Sequence, residues 1–244
     1  MALPRFFCPI PLENNTLITL PKEAAHHAGR SLRLREGTRI ALFNGHGGEY
    51  QGILYFNEGI AQVQIDCFIE DNRQLGGNIT LIQALASGDK MDWIIEKAVE
   101  LGVNRFIPVA AERSVLQLSG ARLEKRQQHW QAIIQSACEQ SGRNTLMELL
   151  PVQHLKNVFN TTGNTDLFVA DPDGELSLTE YLRQHPILND IGFFIGPEGG
   201  WSQKEVELMS KQGAIKIQFG SRILRTETAG LALSSASAAI LGWI

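Results

Sequence analysis

Nothing in the sequence is both long and apolar enough to cross a membrane. The nearest candidate, Ala229 to Ile244, carries no charge but is rich in serine and glycine, and reads as a buried or interface helix. The N-terminus, Met1-Ala2-Leu3-Pro4-Arg5, lacks the apolar core of a secretory signal, so a cytoplasmic protein is expected. Cysteine is scarce: Cys8, Cys67 and Cys138 are odd in number and widely spaced. That excludes a disulfide framework or a zinc module and fits a reducing compartment. Cys8 and Cys138 have no neighbouring base in sequence, which argues against a nucleophile. His26 and His27 have no second cluster at ligand spacing, so packing or surface roles are expected and no metal. There is no Gly-x-Gly-x-x-Gly for a dinucleotide and no Gly-x4-Gly-Lys-Ser/Thr for a nucleoside triphosphate. No Gly-x-Ser-x-Gly elbow marks a hydrolase. Internal repeats and low-complexity segments are also missing.

Positive charge is not in excess either. The net charge is −4, which by itself speaks against a nucleic-acid partner. Its distribution is uneven. Within residues 1–35, Arg5, Lys22, Arg30, Arg33 and Arg35 stand against only Glu13 and Glu23. Lys216, Arg222 and Arg225 leave the C-terminal part positive. Between them, residues 171–207 are acidic: Asp171, Asp173, Glu175, Glu180, Asp190, Glu198, Glu205 and Glu207 outweigh Arg183 and Lys204. A basic face for RNA can therefore exist on an acidic protein.

What is present is a change of grammar along the chain. The 244 residues suffice for one large domain or two modest ones. Up to about residue 70 the pattern is of closely spaced strands, with Thr38–Phe43, Glu49–Phe56 and Ile60–Ile65 separated by turn clusters. This predicts a meander or small barrel, interrupted by one helix over Lys22–Leu34 that begins on Pro21. Asp71–Asn78 is polar and glycine-rich and reads as a linker. Beyond it, strands at Ile79–Ala86, Val103–Val109, Asp166–Ala170, Ile191–Ile195 and Ile215–Phe219 alternate with helices at Lys90–Leu101, Arg122–Ser141 and Ser202–Gln212. A further helix ends the chain. Such alternation predicts a mostly parallel α/β sheet covered on both faces.

Two loops near the C-terminus stand out, because ligands of open α/β sheets bind beyond the strand C-termini. Gly196-Pro197-Glu198-Gly199-Gly200 follows one strand. It is either a plain glycine turn or a loop that lets backbone approach a ligand. A carboxylate at Glu198 favours the second reading. Phe219-Gly220-Ser221-Arg222-Ile223-Leu224-Arg225-Thr226-Glu227-Thr228 follows another strand. Thr226 suits a helix cap and Glu227 the positive end of the helix dipole. Two arginines just upstream add an anion-binding reading. Gly142 closes the long helix, after which Arg143 and Asn144 are expected to project from a loop. Arg122, Lys125, Arg126 and His129 share one helix face, which reads first as solvated surface.

These segments resemble the SPOUT class of S-adenosylmethionine-dependent RNA methyltransferases. The nearest likeness is to the ribosomal RNA small subunit methyltransferase E (RsmE) family. The resemblance runs nearly end to end. It takes in Pro4-Arg5-Phe6-Phe7, Ala25-His26-His27, Arg30-Ser31-Leu32-Arg33, Leu42-Phe43-Asn44-Gly45, Lys90-Met91-Asp92, Lys97 to Val103 and Glu112-Arg113-Ser114. It is most specific in the combination of Ala137 to Asn144, Ile195 to Gly200 and Leu224 to Thr228. The implied fold is a PUA-like β-barrel over residues 1–72 that holds RNA, then a SPOUT α/β domain over residues 79–244. That domain would thread a deep trefoil knot, bind cofactor and form a homodimer. Periodicity shows no knot, and general connection rules predict none.

The resemblance further implies methylation of uracil N3 in 16S ribosomal RNA, within the small ribosomal subunit. The cofactor would be S-adenosyl-L-methionine, held by Ile195, Gly196, Pro197, Glu198, Gly199 and Gly200. Phe219, Gly220, Leu224, Arg225, Thr226 and Thr228 would face it, with Val169 and Ala170 on the adjoining strand. Arg225, Arg222 and Arg143 are candidates for stabilising negative charge, and Glu198 or Glu227 for taking the N3 proton, with Glu198 favoured by its glycine setting. Arg5, Arg30, Arg33, Arg35 and Asn144 would contact RNA. The sequence departs from the family at Asp171-Pro172-Asp173, where a His-Pro pair is common. Three other readings stay open: another SPOUT activity on ribose 2′-O or a transfer-RNA base, a non-catalytic RNA-binding protein, and a metabolite-binding α/β protein.

Overall fold

A computed structural model describes residues 3–116, 119–174 and 176–244; Glu175 of the acidic stretch lies outside the described residues. The chain divides into two units. The first comprises residues 1–74 together with 135–146, and the second residues 75–134 and 147–244.

The first unit is a five-stranded sheet built from β1 (Arg5–Phe7), β2 (Leu17–Thr19), β3 (Arg39–Phe43), β4 (Glu49–Asn57) and β5 (Ile60–Ile69) in the order β1-β3-β4-β5-β2. β3, β4 and β5 form the antiparallel meander that the turn spacing predicts. Alternate residues Ile40, Leu42, Leu54, Val63 and Ile65 point to one side and form its core with Phe6, Leu20 and Ala28. β5 runs to Ile69, four residues past the predicted end, because Phe68 and Ile69 pair with Tyr50 and Glu49.

The predicted helix over Lys22–Leu34 is cut short. α1 spans Lys22–His26, and a π-helical turn over His27–Ser31 follows, in which Leu32 N–H donates to His27 O. Arg33 then takes φ 51°, a left-handed conformation that no helix can continue through. Pro21 caps this helix rather than opening its first turn.

The second unit holds β6 (Asn78–Ala84), α2 (Lys90–Glu100), β7 (Arg105–Ala110), α3 (Gly120–Ser141) as far as Ile134, its last turns from Gln135 belonging to the first unit, then β8 (Glu148–Leu149), β9 (Gln153–His154) and α4 (Leu155–Thr162). It continues with β10 (Asp166–Ala170), β11 (Leu176–Ser177), α5 (Leu178–Gln184), β12 (Asp190–Ile195), α6 (Gln203–Lys211), β13 (Ile215–Gln218) and α7 (Thr226–Ile240). The strands form one sheet in the order β11-β13-β10-β12-β6-β7-β8, with β9 also beside β7, and every pair is parallel. The α/β fold expected from the alternation is therefore present. The short elements α4, α5, β8, β9 and β11 carry too few residues to show a period, and only the structure reveals them.

The order matters more than the count. β6 lies beside β7 on one side and β12 on the other, so the chain reverses its direction of growth across the sheet. Because β12, β10 and β13 are parallel neighbours, the loops after them emerge side by side at one edge. α7 lies against β6 and β12, and Gly230 permits the close approach: a Cβ there would meet Leu81 Cδ1 at 2.6 Å. α6 opens on the predicted capping box, with Ser202 Oγ accepting from Glu205 N–H and Glu205 accepting from Ser202 N–H. Among the described residues no helix is long and apolar enough to cross a membrane.

Asp71–Asn78, the segment that reads as a linker, spans the division between the units at Gln74 and Leu75 and is bonded within each. Within the first unit Asp71 O accepts from Asn144 Nδ2 (3.0 Å) and Gln74 Oε1 from Arg143 Nη2 (2.8 Å). Within the second, Gly76 N–H donates to Trp243 O (2.9 Å). Gly142 does end α3, at φ +85°, but Arg143 and Asn144 do not project. They are 3% and 1% exposed, turned inward to satisfy this segment's polar backbone and side chains.

Candidate functional site

A cavity of 560 Å³ opens where the loops after β10, β12 and β13 meet, all within the second unit. That is a ligand-sized volume. Its walls are Ala170 to Pro172 after β10, Ile195 to Glu198 with Gly200 and Trp201 after β12, and Ile223 to Glu227 ahead of α7. Lys90, Val206 and Ala229 complete it. A hollow of 70 Å³ shares Ala170, Asp171, Pro172, Leu224 and Ala229 with the main cavity and adds Phe219, Gly220 and Arg222.

One hydroxyl joins the two loops. Thr226 Oγ1 donates to Gly196 O (2.6 Å) and accepts from Gln83 Nε2 (2.9 Å) on β6. Thr226 is thus not the helix cap: Arg225 occupies that position through its backbone, and no side chain caps α7. The hydroxyl is used for tertiary bonds instead. Thr226→Val keeps the shape and leaves Gly196 O without this donor. The protein is expected to lose about 1–3 kcal/mol of stability, the usual cost of an orphaned buried partner. Denaturant unfolding would measure it, and an unchanged midpoint would show that the hydroxyl does not hold the loops.

The charged wall is a Lys90-centred network. Glu198 Oε1 accepts from Lys90 Nζ (2.9 Å), Ser87 Oγ (2.7 Å) and Ser87 N–H (3.1 Å). Lys90 Nζ also stands 3.5 Å from Glu227 Oε2, and Arg225 Nη1 4.0 Å from Glu227 Oε1. Partial burial works against the ionised form of Glu198, but the bonds from Lys90 and Ser87 outweigh it and hold the carboxyl down at about 2. The bond to Glu198 in turn raises the Lys90 value, so Lys90 stays cationic. A carboxylate held this low is a weak base.

Comparison with known proteins settles the family. Residues 73–238 match the RNA methyltransferase domain family, and residues 20–65 the RNA methyltransferase PUA domain. The ribosomal RNA small subunit methyltransferase E of Bacillus subtilis is 31% identical, over 93% of this chain and 91% of that one. The chain belongs to the ribosomal RNA small subunit methyltransferase E family. The crystal structure of that family's member from Neisseria gonorrhoeae, bound to S-adenosyl methionine, is 36% identical over 96% of both chains, with a TM-score of 0.91. A Legionella pneumophila protein solved with bound S-adenosyl methionine is 32% identical over 98% of both chains, also at 0.91. The first unit of this family member is PUA-like by that match, and the second is its α/β methyltransferase fold.

The structure brings together Ala170, Ile195, Gly196, Pro197, Glu198, Gly200, Leu224, Arg225 and Thr226 on the main cavity. Phe219, Gly220 and Arg222 reach only the smaller hollow. Val169 lies buried in β10, Gly199 O accepts from Arg113 Nη1 (3.1 Å), and Thr228 N–H donates to Arg225 O (2.9 Å); none of the three lines either space. Arg143 lines neither as well. The departure at Asp171 leaves a cavity wall intact, because Asp171 N–H donates to Ile217 O (3.0 Å) and its carboxylate stands 3.5 Å from Lys216 Nζ.

In the first unit the expected RNA contacts divide. Arg30, Arg33 and Arg35 are exposed and make no ion pair among the described residues. Arg5 and Asn144 are turned inward. Arg5 is bonded to Glu49 and to the Asn144 side-chain oxygen, and its guanidinium lies 5.3 Å from the Phe43 ring centre. A guanidinium so committed holds the sheet rather than a phosphate. Burial pushes the Cys8 thiol up to about 11, so it stays protonated. The sequence reading did not assign Lys90, Trp201 or Val206 to the site. Lys90 carries no local signal, whereas Trp201 could have been found from its place after the glycine pair.

Proposed function

We propose that this protein transfers a methyl group from S-adenosyl-L-methionine to N3 of a uracil in 16S ribosomal RNA. It does so as a cytoplasmic homodimer acting on the small ribosomal subunit, with the loops around the cavity knotted as in other SPOUT proteins. The observation that carries the reading is the cavity at the edge of β12, β10 and β13, in a chain that matches cofactor-bound family members end to end.

The residues present fit the cofactor. Trp201 lines the cavity and its buried indole N–H has no partner among the described residues, so it is free to donate to a ligand. Gly196 leaves the space beside that ring open, since a Cβ there would come within 3.3 Å of it. Ile195, Val206 and Leu224 supply apolar walls, and Glu198 and Glu227 supply negative charge for a cationic ligand. When bound, S-adenosyl-L-methionine supplies an electrophilic methyl group on a sulfonium sulfur.

The chain's own task is the acceptor. Uracil N3 is a poor nucleophile until its proton leaves. Glu198 is committed to Lys90 and Ser87 and is too weak a base, so Glu227 takes the proton. Lys90 and Arg225 hold the negative charge that develops on the base carbonyls. Arg222 is exposed beside them and meets RNA phosphate, as do Arg30, Arg33 and Arg35. The target base must be unpaired or turned out for N3 to be reachable.

Mass mapping of 16S ribosomal RNA from cells lacking this protein tests the reading. One methyl group is expected to disappear, from a uracil base. A loss located on ribose would point to 2′-O transfer, and no loss would overturn the assignment.

A further inference from the structure

Another space adjoins the cofactor cavity. It measures 350 Å³ and is lined by Asp89, Lys90, Trp93 and Glu227. Lys90 and Glu227 line both spaces, so their side chains form the partition. We infer that this hollow is the subsite for the acceptor uracil, with the base stacked on Trp93 and its Watson–Crick edge against Lys90 and Glu227. The inference rests on the proposed function and names which residues select its substrate.

Four observations converge. Trp93 stands one helical turn after Lys90 on α2, hence on the same face. Its neighbours Met91, Ile94 and Ile95 are buried, whereas Trp93 is 45% exposed and makes no ring contact among the described residues. A lone exposed apolar residue is ordinary. An indole bordering a hollow whose other walls are all charged is a stacking platform with polar groups at its rim. Asp89 sits at the N-cap position of α2, where its backbone carbonyl accepts from Trp93 N–H (3.2 Å) but its side chain makes no cap bond, so its carboxylate is free for a ribose hydroxyl. Finally, methyl transfer requires acceptor and donor in contact, and this hollow meets the cofactor cavity at the Lys90–Glu227 partition.

The partition also matches one base. The uracil edge presents acceptor, donor, acceptor: O2, N3–H and O4. Glu227 accepts from N3–H, and Lys90 donates to a flanking carbonyl. Cytosine presents an acceptor at N3, which would face the Glu227 carboxylate and be repelled. On transfer the N3–H bond breaks with its proton passing to Glu227, while the new N3–C bond takes the methyl group from sulfur.

The test uses small ribosomal subunits from cells lacking the protein, with Trp93→Ala and Trp93→Phe. Trp93→Ala is expected to lower kcat/KM by about 10- to 100-fold, the scale of one lost base–aromatic stack, while cofactor affinity by calorimetry stays within about twofold. Trp93→Phe keeps a stacking face and recovers to within about fivefold of wild type. Trp93→Ala turning over within about threefold of wild type overturns the inference. So does a shift of Trp93→Ala to monomer in sedimentation, which would make Trp93 a subunit contact. If the wild-type protein itself transfers no methyl group to these subunits, the proposed function fails first and the subsite with it.

Discussion

Lys90→Met is expected to lower methyl transfer by about 10²- to 10³-fold, the usual loss when one preorganised electrostatic group is removed. Methionine preserves much of the length and apolar stem of lysine, so the substitution tests charge rather than volume. Among the described residues Lys90 is the single cation bonded to Glu198, and it stands between that carboxylate and Glu227. Without it two carboxylates face one cavity, and Glu198 keeps its bonds from Ser87 but loses its cationic partner. Two effects follow. The Gly196–Gly200 loop loses an anchor to the start of α2, and the developing negative charge on the acceptor loses its nearest ammonium. Titration separates them. With the Lys90 bond gone, Glu198 moves up from about 2 toward the ordinary carboxylate range, which NMR can follow. If Glu198 shifts but turnover does not fall, Lys90 serves the loop and not the reaction.

Arg225→Ala is expected to reduce kcat by a similar factor, about 10²- to 10³-fold. The reasoning differs because the side chain has no structural employment. Its backbone caps α7, but its guanidinium is 83% exposed and its nearest carboxylate oxygen lies at 4.0 Å. Removing it opens no void and strips no buried partner, so the thermal midpoint should hold steady. Cofactor affinity should remain within about threefold, since an exposed guanidinium adds little to a ligand held by enclosed walls. Turnover on ribosomal subunits is the deciding measurement. A rate near wild type would remove Arg225 from the chemistry and leave Lys90 as the charge-stabilising group.

Sequence shows the elements of this site better than their wiring. The loops at Gly196–Gly200 and Phe219–Thr228 are legible because glycines and clustered Arg, Thr and Glu directly follow apolar runs. The Ser202–Glu205 capping box is legible because it is local. Lys90 is not, since a lysine at a helix start looks like any other until its partner Glu198, 108 positions away, is seen. Thr226 fails in the opposite direction: its position beside a helix start suggests a cap, but the hydroxyl is taken by Gly196 and Gln83. Arg5 and Asn144 show the same limit in the first unit. Each looks like an RNA contact in isolation, and each is the other's partner across 139 positions. Charge can be counted from sequence, but whether it is neutralised depends on the fold.

The first unit's dependence on residues 135–146 has an evolutionary corollary. A chain that leaves one globule, builds much of the next, and then returns to finish the first cannot be shuffled at a single junction. Severing it after residue 74 would strand Arg5 without Asn144 and Phe7 N–H without its Glu139 acceptor. Any lineage that replaces its PUA-like module must therefore transplant two pieces at once, a barrier that favours inheritance of both halves together.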